Sequence, residues 1–284
     1  MDIIGHKKEE LRLLELAKKD SCSICLTGVE GTGKKLVALS FLKGVLNDTE
    51  NLNINPDFFK LEKGDEQIKI NEIRKVIEFA SIKSYGGKNR AVLIDNAQNI
   101  NLNAQNALLK ILEEPPKKLF IVLITNDFTS LIPTIRSRVT NIYFDRLSYE
   151  ELKQIFPKTD EELLKIANGS AKIALSFSSI DSKLMKNFAK SYILSTGDAF
   201  LNGEELSYLN LKTCGIYTEA IIFDIIKYNE EKVCDYKLTE KLVKLGNFGT
   251  NYLVKKSKKL DKYIKLYEGS YNKKALITDL FFTS

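Results

Sequence analysis

Gly28-Val29-Glu30-Gly31-Thr32-Gly33-Lys34-Lys35 spaces its glycines so that the backbone can close round phosphate oxygens, with a lysine pair directly behind. In the pattern G-x-x-x-x-G-K-[ST], backbone N–H groups cradle phosphates, the lysine reaches the terminal phosphate and a hydroxyl ligates Mg²⁺. Gly28, Gly31, Thr32, Gly33 and Lys34 fill their places, but Lys35 stands where the hydroxyl belongs. An ammonium offers no lone pair to Mg²⁺ and competes with it for the same oxygens. ATP or ADP is therefore expected to bind weakly and no cofactor to be required, with a glycine turn that binds nothing as the alternative.

The second chemical signal is Ala91-Val92-Leu93-Ile94-Asp95, an apolar run that ends in a carboxylate. A buried parallel strand of this form delivers an aspartate toward Mg²⁺. An active ATPase would follow it with glutamate, whereas this chain has Asn96, which orients water but cannot accept its proton. Loss of both the hydroxyl and the base predicts no hydrolysis.

Cys22 and Cys25 have ligand-like spacing, but an extended strand puts them on opposite faces, and Cys214 and Cys234 lie far along the chain. Reduced structural cysteines and no zinc are expected. His6 is the sole histidine, so any Ser/His/Asp or Cys/His nucleophile would depend on it; it reads instead as a solvated residue at a helix start.

These groups need a scaffold. Cys22–Thr27 reads as a buried strand and Leu36–Leu42 as the helix behind the loop, the order the loop requires. Asp57–Leu61 and Leu119–Thr125 read as further strands; residues 7–19 read as a helix through Leu11, Leu14 and Ala17 with Leu13 and Leu16 alongside. Ile70, Ile73, Val76, Ile77 and Ala80 predict a helix ending near Tyr85-Gly86-Gly87, and Leu102–Glu113 another, stopped by Pro115-Pro116. Alternating strands and helices imply an α/β fold, a doubly wound parallel sheet with Gly28, Asp95 and Thr125-Asn126 at its C-terminal edge. Ser148-Tyr149-Glu150-Glu151 is a capping-box start, and the rest of the chain reads as helical, including Thr218–Lys227 with Ile221, Ile222, Ile225 and Ile226.

Leu93–Ile100 followed by Ala104–Pro116, together with Leu131-Ile132-Pro133-Thr134-Ile135-Arg136-Ser137-Arg138-Val139, resembles the bacterial clamp-loader subunits of the AAA+ class over roughly residues 1–180; Val139 replaces the cysteine of the family's Ser-Arg-Cys motif. The family's gamma/tau motors keep the loop hydroxyl, an Asp-Glu pair and a four-cysteine zinc module, none of which is present here. That pattern of losses resembles the delta-prime type of DNA polymerase III clamp-loader subunit. The resemblance implies an AAA+ P-loop domain over 1–145, a small helical lid over 146–183 and an all-α collar over 184–284. It implies that Asn126 or Thr125 occupies the position that senses the terminal phosphate, a polar strand cap being the alternative. Lys172 stands where active subunits carry a second-sensor arginine. Arg138 is implied to act in trans as an arginine finger, with Arg136 as the alternative and local pairing to an acid as the bland one. The implied role is a non-hydrolysing subunit that works with gamma/tau, delta, the sliding clamp and primed DNA; the alternative is an ATP-hydrolysing gamma/tau-like motor or another AAA+ remodelling ATPase.

Composition fits this frame. The chain has 284 residues, 44% of them hydrophobic, and a net charge of +6, a mild excess that alone does not indicate DNA binding. An apolar run long enough to span a bilayer is missing, and the first residues do not read as a signal peptide, so a cytoplasmic protein without membrane contact is expected. Lys255, Lys256, Lys258, Lys259, Lys262 and Lys265 read as a solvated helix face, with DNA contact as the alternative.

Overall fold

A computed structural model describes residues 3–48, 51–82, 88–196, 208–269 and 273–282. Its elements in chain order are α1 (Lys7–Leu16), β1 (Cys22–Gly28), α2 (Lys34–Leu46), β2 (Phe58–Leu61), α3 (Ile70–Ser81), β3 (Arg90–Ile94), α4 (Leu102–Glu113), β4 (Leu119–Thr125), α5 (Pro133–Arg136) and β5 (Thr140–Phe144). Then follow the helices α6 (Tyr149–Ile155), α7 (Glu161–Ala167), α8 (Ala171–Ser178), α9 (Ser182–Leu194), α10 (Tyr208–Glu231), α11 (Lys237–Leu245), α12 (Thr250–Gly269) and α13 (Lys273–Phe282).

The five strands form one sheet in the order β2-β3-β4-β1-β5, and each neighbouring pair is parallel. β1, β3 and β4 are buried along their whole length, as their continuous apolar runs require when helices cover both faces. Cys25, Val92, Ile121 and Leu123 face the layer made by α3 and α4, whereas Cys22, Ile24, Leu26 and Phe120 face α1 and α2. The two cysteines thus sit in separate cores, and burial pushes each thiol up to about 11.

The chain divides into two compact units, Met1–Ile155 with Gly169–Ala171, and Phe156–Asn168 with Lys172–Ser284. These do not coincide with the divisions expected at 145 and 183, since the 146–183 stretch is shared between both. The capping box forms as read: Ser148 N–H donates to Glu151 Oε2 at 2.8 Å, and Glu151 N–H donates to Ser148 Oγ at 3.1 Å.

Several element bounds differ from expectation. α1 ends at Leu16 because the next amides tighten to three-residue bonds, Lys18 N to Glu15 O and Lys19 N to Leu16 O. Only its Leu13 and Leu16 are buried; Leu11 and Leu14 point outward. α3 stops at Ser81, short of Tyr85-Gly86-Gly87, which lie outside the described residues. Its end is held by Arg90, whose guanidinium donates to Phe79 O at 2.5 Å and to Ile82 O, lies 3.9 Å over the Phe79 ring and sits 3.5 Å from Asp57.

In the second unit the expected Thr218–Lys227 helix is the middle of the longer α10, which packs against α7, α9, α11 and α12. Leu211, Cys214, Tyr217, Thr218, Ile221, Ile222 and Ile225 form its buried stripe, with Ile226 half-buried. The lysine face of α12 is not uniformly solvated. Lys256 is buried, donates to Tyr192 O at 3.0 Å and Ser195 Oγ at 2.8 Å, and lies 4.6 Å over the Tyr192 ring, so it caps the C-terminus of α9. Lys259 turns inward to Asp279 O at 3.1 Å, leaving Lys255, Lys258, Lys262 and Lys265 exposed. The pattern misled because the stem of a lysine can be buried when a helix end offers carbonyls to its head.

Removing the Arg90 guanidinium strands the α3 carbonyls and Asp57. Arg90→Ala is expected to destabilise the first unit by roughly 2–4 kcal/mol and to speed amide exchange at the end of α3 first, as hydrogen-exchange mass spectrometry would report.

Candidate functional site

The glycine loop lies between β1 and α2 because strand, loop and helix follow without a break. Gly28 has φ +150°, and a Cβ there would come within 2.3 Å of Phe144 O on β5. Gly33 caps α2 at φ +93°, a left-handed conformation that a side chain resists. The loop carbonyls are held from several directions. Thr32 Oγ1 donates to Val29 O at 2.9 Å, Ser170 Oγ to Glu30 O at 3.1 Å and Ala171 N to Gly31 O at 2.8 Å.

His6 supplies a further tie. Its Nε2 is 2.6 Å from Thr32 O and its ring lies 4.7 Å from that of Phe144. The side chain is 6% exposed, so the solvated position expected from its basic neighbourhood is wrong. The left-handed backbone at residue 6 turns the ring back onto the fold.

Lys34 is buried and folds onto its own loop. Its ammonium donates to Gly28 O at 2.6 Å, Val29 O at 2.7 Å and Asn126 Oδ1 at 3.1 Å. Burial drives its pKa down to about 8 against the opposing pull of Glu30 and Asp95. Asn126 thus meets the loop, whereas Thr125 exchanges hydrogen bonds with Asp127 as a strand-end cap.

Lys35 points the other way. Its ammonium is 3.1 Å from Asp95 Oδ2 and also bonds Glu62, which in turn is 2.9 Å from Lys60. Burial, the largest single influence on Lys35, lowers its pKa, but the bonds and charges of Glu62 and Asp95 together raise it above the ordinary value. Glu62 is shifted down by its bonds to Lys35 and Lys60. The other Asp95 oxygen accepts Asn96 N–H at 2.9 Å. Asn96 adopts a left-handed backbone and donates its amide to Gly64 O at 3.0 Å, while its Oδ1 accepts from Gln98 at 3.2 Å.

P-loop folds pair nucleotide with Mg²⁺, which demands near-octahedral oxygen ligands. The groups present do not fit it: the hydroxyl is missing and Asp95 already holds an ammonium. Among the described residues there is also no cluster of three or more His, Cys, Asp or Glu side chains able to hold a metal.

Arg138 lies elsewhere. It precedes β5, whose far end Phe144 pairs with Gly28; the four strand steps from Thr140 to Phe144 at about 3.3 Å each cover roughly 13 Å, so Arg138 lies beyond the opposite edge of the sheet from its own glycine loop. Its guanidinium meets Glu113 at 3.0 Å and donates to Thr134 O at 3.0 Å, with its Nε unpartnered, as is that of Arg136. The local acid pairing is therefore present. Lys172 belongs to the second unit, at the start of α8.

Glu62 and Gln105 carry no signal in the sequence that marks them for the site. Glu62 follows the short β2 and carries no spacing signal. Gln105 sits inside the recognised Ala104–Pro116 stretch, where its burial was the missing clue. It accepts Ile132 N–H at 2.8 Å and donates to Ile100 O at 2.9 Å, tying α4 to the segment that leads to Arg138.

Residues 8–148 match the family described as DNA polymerase III, delta subunit. The chain is 33% identical over 126 residues to the DNA polymerase III subunit delta′ of Pseudomonas aeruginosa, covering 41% of this chain and 38% of that one. It is 31% identical over 190 residues to the DNA polymerase III subunit gamma of Buchnera aphidicola from Schizaphis graminum, covering 57% and 52%. The chain thus spans about half the length, or less, of these curated relatives. A DNA polymerase III gamma-subunit-related protein of Thermotoga maritima shares the fold, with TM-score 0.58, 18% identity and 96% of each chain covered.

The Lys34 geometry is directly measurable. In an NMR titration of lysine side chains, Lys34 and the likewise buried Lys256 should each show a midpoint of about 8 rather than the ordinary 10.5. Lys34→Arg and Lys256→Arg assign the two signals, and a midpoint near 10.5 for Lys34 would mean that its ammonium faces water.

Proposed function

The chain belongs to the bacterial clamp-loader family of AAA+ proteins, and on that premise we propose that it is a non-hydrolysing, delta-prime-like subunit of the replicative clamp loader. One observation carries the reading. At the strand end where an active ATPase holds Mg²⁺ and its base, Asp95 is paired with Lys35 and the next residue is a carboxamide turned onto Gly64 O.

Arg138 supplies the positive side of the proposal. Lying beyond the opposite edge of the sheet from its own loop, it is placed away from that loop and is available to a neighbouring subunit. An arginine supplied in trans stabilises charge on the transferring phosphoryl group. Its guanidinium would exchange the largely exposed Glu113 carboxylate for the neighbour's phosphate. Any nucleotide bound by this chain itself would be held weakly, through Gly28–Lys34, Asn126 and Lys172. The helices from about residue 184 onward would form the collar that joins gamma/tau and delta, and the assembled complex would carry the sliding clamp to primed DNA in the cytoplasm. Among the described residues no helix is long and apolar enough to cross a membrane.

Two measurements test this. The isolated chain should hydrolyse ATP at background, and steady turnover of about one per second, ordinary for an enzyme, would establish the motor alternative instead. Arg138→Ala should leave assembly intact but lower the complex's ATPase partially and clamp loading more. Fingers of this kind contribute roughly 10³–10⁵ in other P-loop systems, though one site of several is affected here. Arg138→Lys should rescue poorly because a point ammonium lacks the guanidinium fork. Unchanged clamp loading in both variants would remove Arg138 from the mechanism and direct attention to Arg136.

A further inference from the structure

The ion-paired chain Lys60–Glu62–Lys35–Asp95 joins three parts of the fold. Lys60 lies on β2 and Glu62 just past its end, Lys35 is on the first turn of α2, and Asp95 follows β3. Lys35 is the middle of it, with one ammonium between two carboxylates. The same two acids, with the loop alongside, would otherwise form an oxygen-rich corner able to attract a divalent cation. The Asp95 side chain is only 13% exposed, so a carboxylate left there without a counter-charge would be costly.

We infer that the Lys35 ammonium is a built-in replacement for the divalent cation: it neutralises Asp95 and Glu62 from within the fold and keeps Mg²⁺ and Mn²⁺ out of this corner. The inference rests on the non-hydrolysing reading of the same site and explains it physically. A tethered cation needs no metal concentration and does not leave, so the strand ends and the loop helix stay joined whatever the metal supply. Geometry also disfavours coexistence. An ammonium 3.1 Å from Asp95 Oδ2 occupies the side from which a metal would approach, and it repels a second positive charge at short range.

The test is Mn²⁺ binding to the full chain, read from the electron paramagnetic resonance signal of free Mn²⁺. Wild type and Asp95→Asn should take up the same background amount. Lys35→Thr, which removes the ammonium and restores a hydroxyl, should gain a site at least about tenfold tighter than background, and Lys35→Thr with Asp95→Asn should lose it again. Lys35→Arg, which keeps the charge, should gain nothing. Wild-type Mn²⁺ uptake that disappears in Asp95→Asn overturns the inference, as does a folded Lys35→Thr without any gain. Should Lys35→Thr not fold, Lys35→Ala and the wild-type comparison with Asp95→Asn decide on the same criteria. Failure here differs from failure of the proposed function. A chain that refuses Mn²⁺ yet turns over ATP defeats only the latter, whereas one that binds Mn²⁺ at Asp95 without turnover defeats only the former.

Discussion

The parallel pairing of β1 with both β4 and β5 is the constraint from which the site follows. It runs Gly28 out beside Phe144 on one side and sets Thr27 against Thr125 on the other, so the glycine loop and Asn126 emerge at the same edge. β3, next to β4, brings Asp95 to that edge as well. Gly28 is confined there by the Phe144 carbonyl, which leaves no room for a Cβ. The chemistry of the corner is then decided chiefly by the two lysines that close the glycine loop.

Those lysines are neighbours in sequence with opposite fates. Lys34 turns inward, loses water and satisfies the loop's own carbonyls, which is why its charge is costly enough to lower its pKa. Lys35 turns toward the carboxylates at the ends of β2 and β3 and gains charge stabilisation from them. Thr32 joins Lys34 on Val29 O, and the carbonyls of Glu30, Gly31 and Thr32 are met by Ser170, Ala171 and His6. A loop held at so many carbonyls has little freedom to rearrange.

The opposite end of the sheet has its own logic. Arg138 precedes β5, and Gln105 fastens α4 to the segment before α5, so the position of the arginine is set by buried packing rather than by a flexible loop. Its guanidinium pairs with Glu113, the last residue of α4. Val139 is buried and continues the apolar lining of the α4 layer.

Much of this was readable from residue order. Continuous apolar runs such as Leu119–Thr125 can be strands only if both faces are covered, so the doubly wound sheet was determined by local pattern, and the Ser148–Glu151 capping box by local hydrogen-bond chemistry. The lysine at position 35 and the carboxamide at position 96 were likewise visible as residue types. What tertiary structure decided was where long polar side chains end. Lysine and histidine have enough reach to be solvated or buried depending on which carbonyl or carboxylate lies within a few ångströms. The burial of His6 on Thr32 O, of Lys256 on the end of α9, and the meeting of Lys35 with Glu62 depend on contacts between segments far apart in the chain, for which spacing carries no signal.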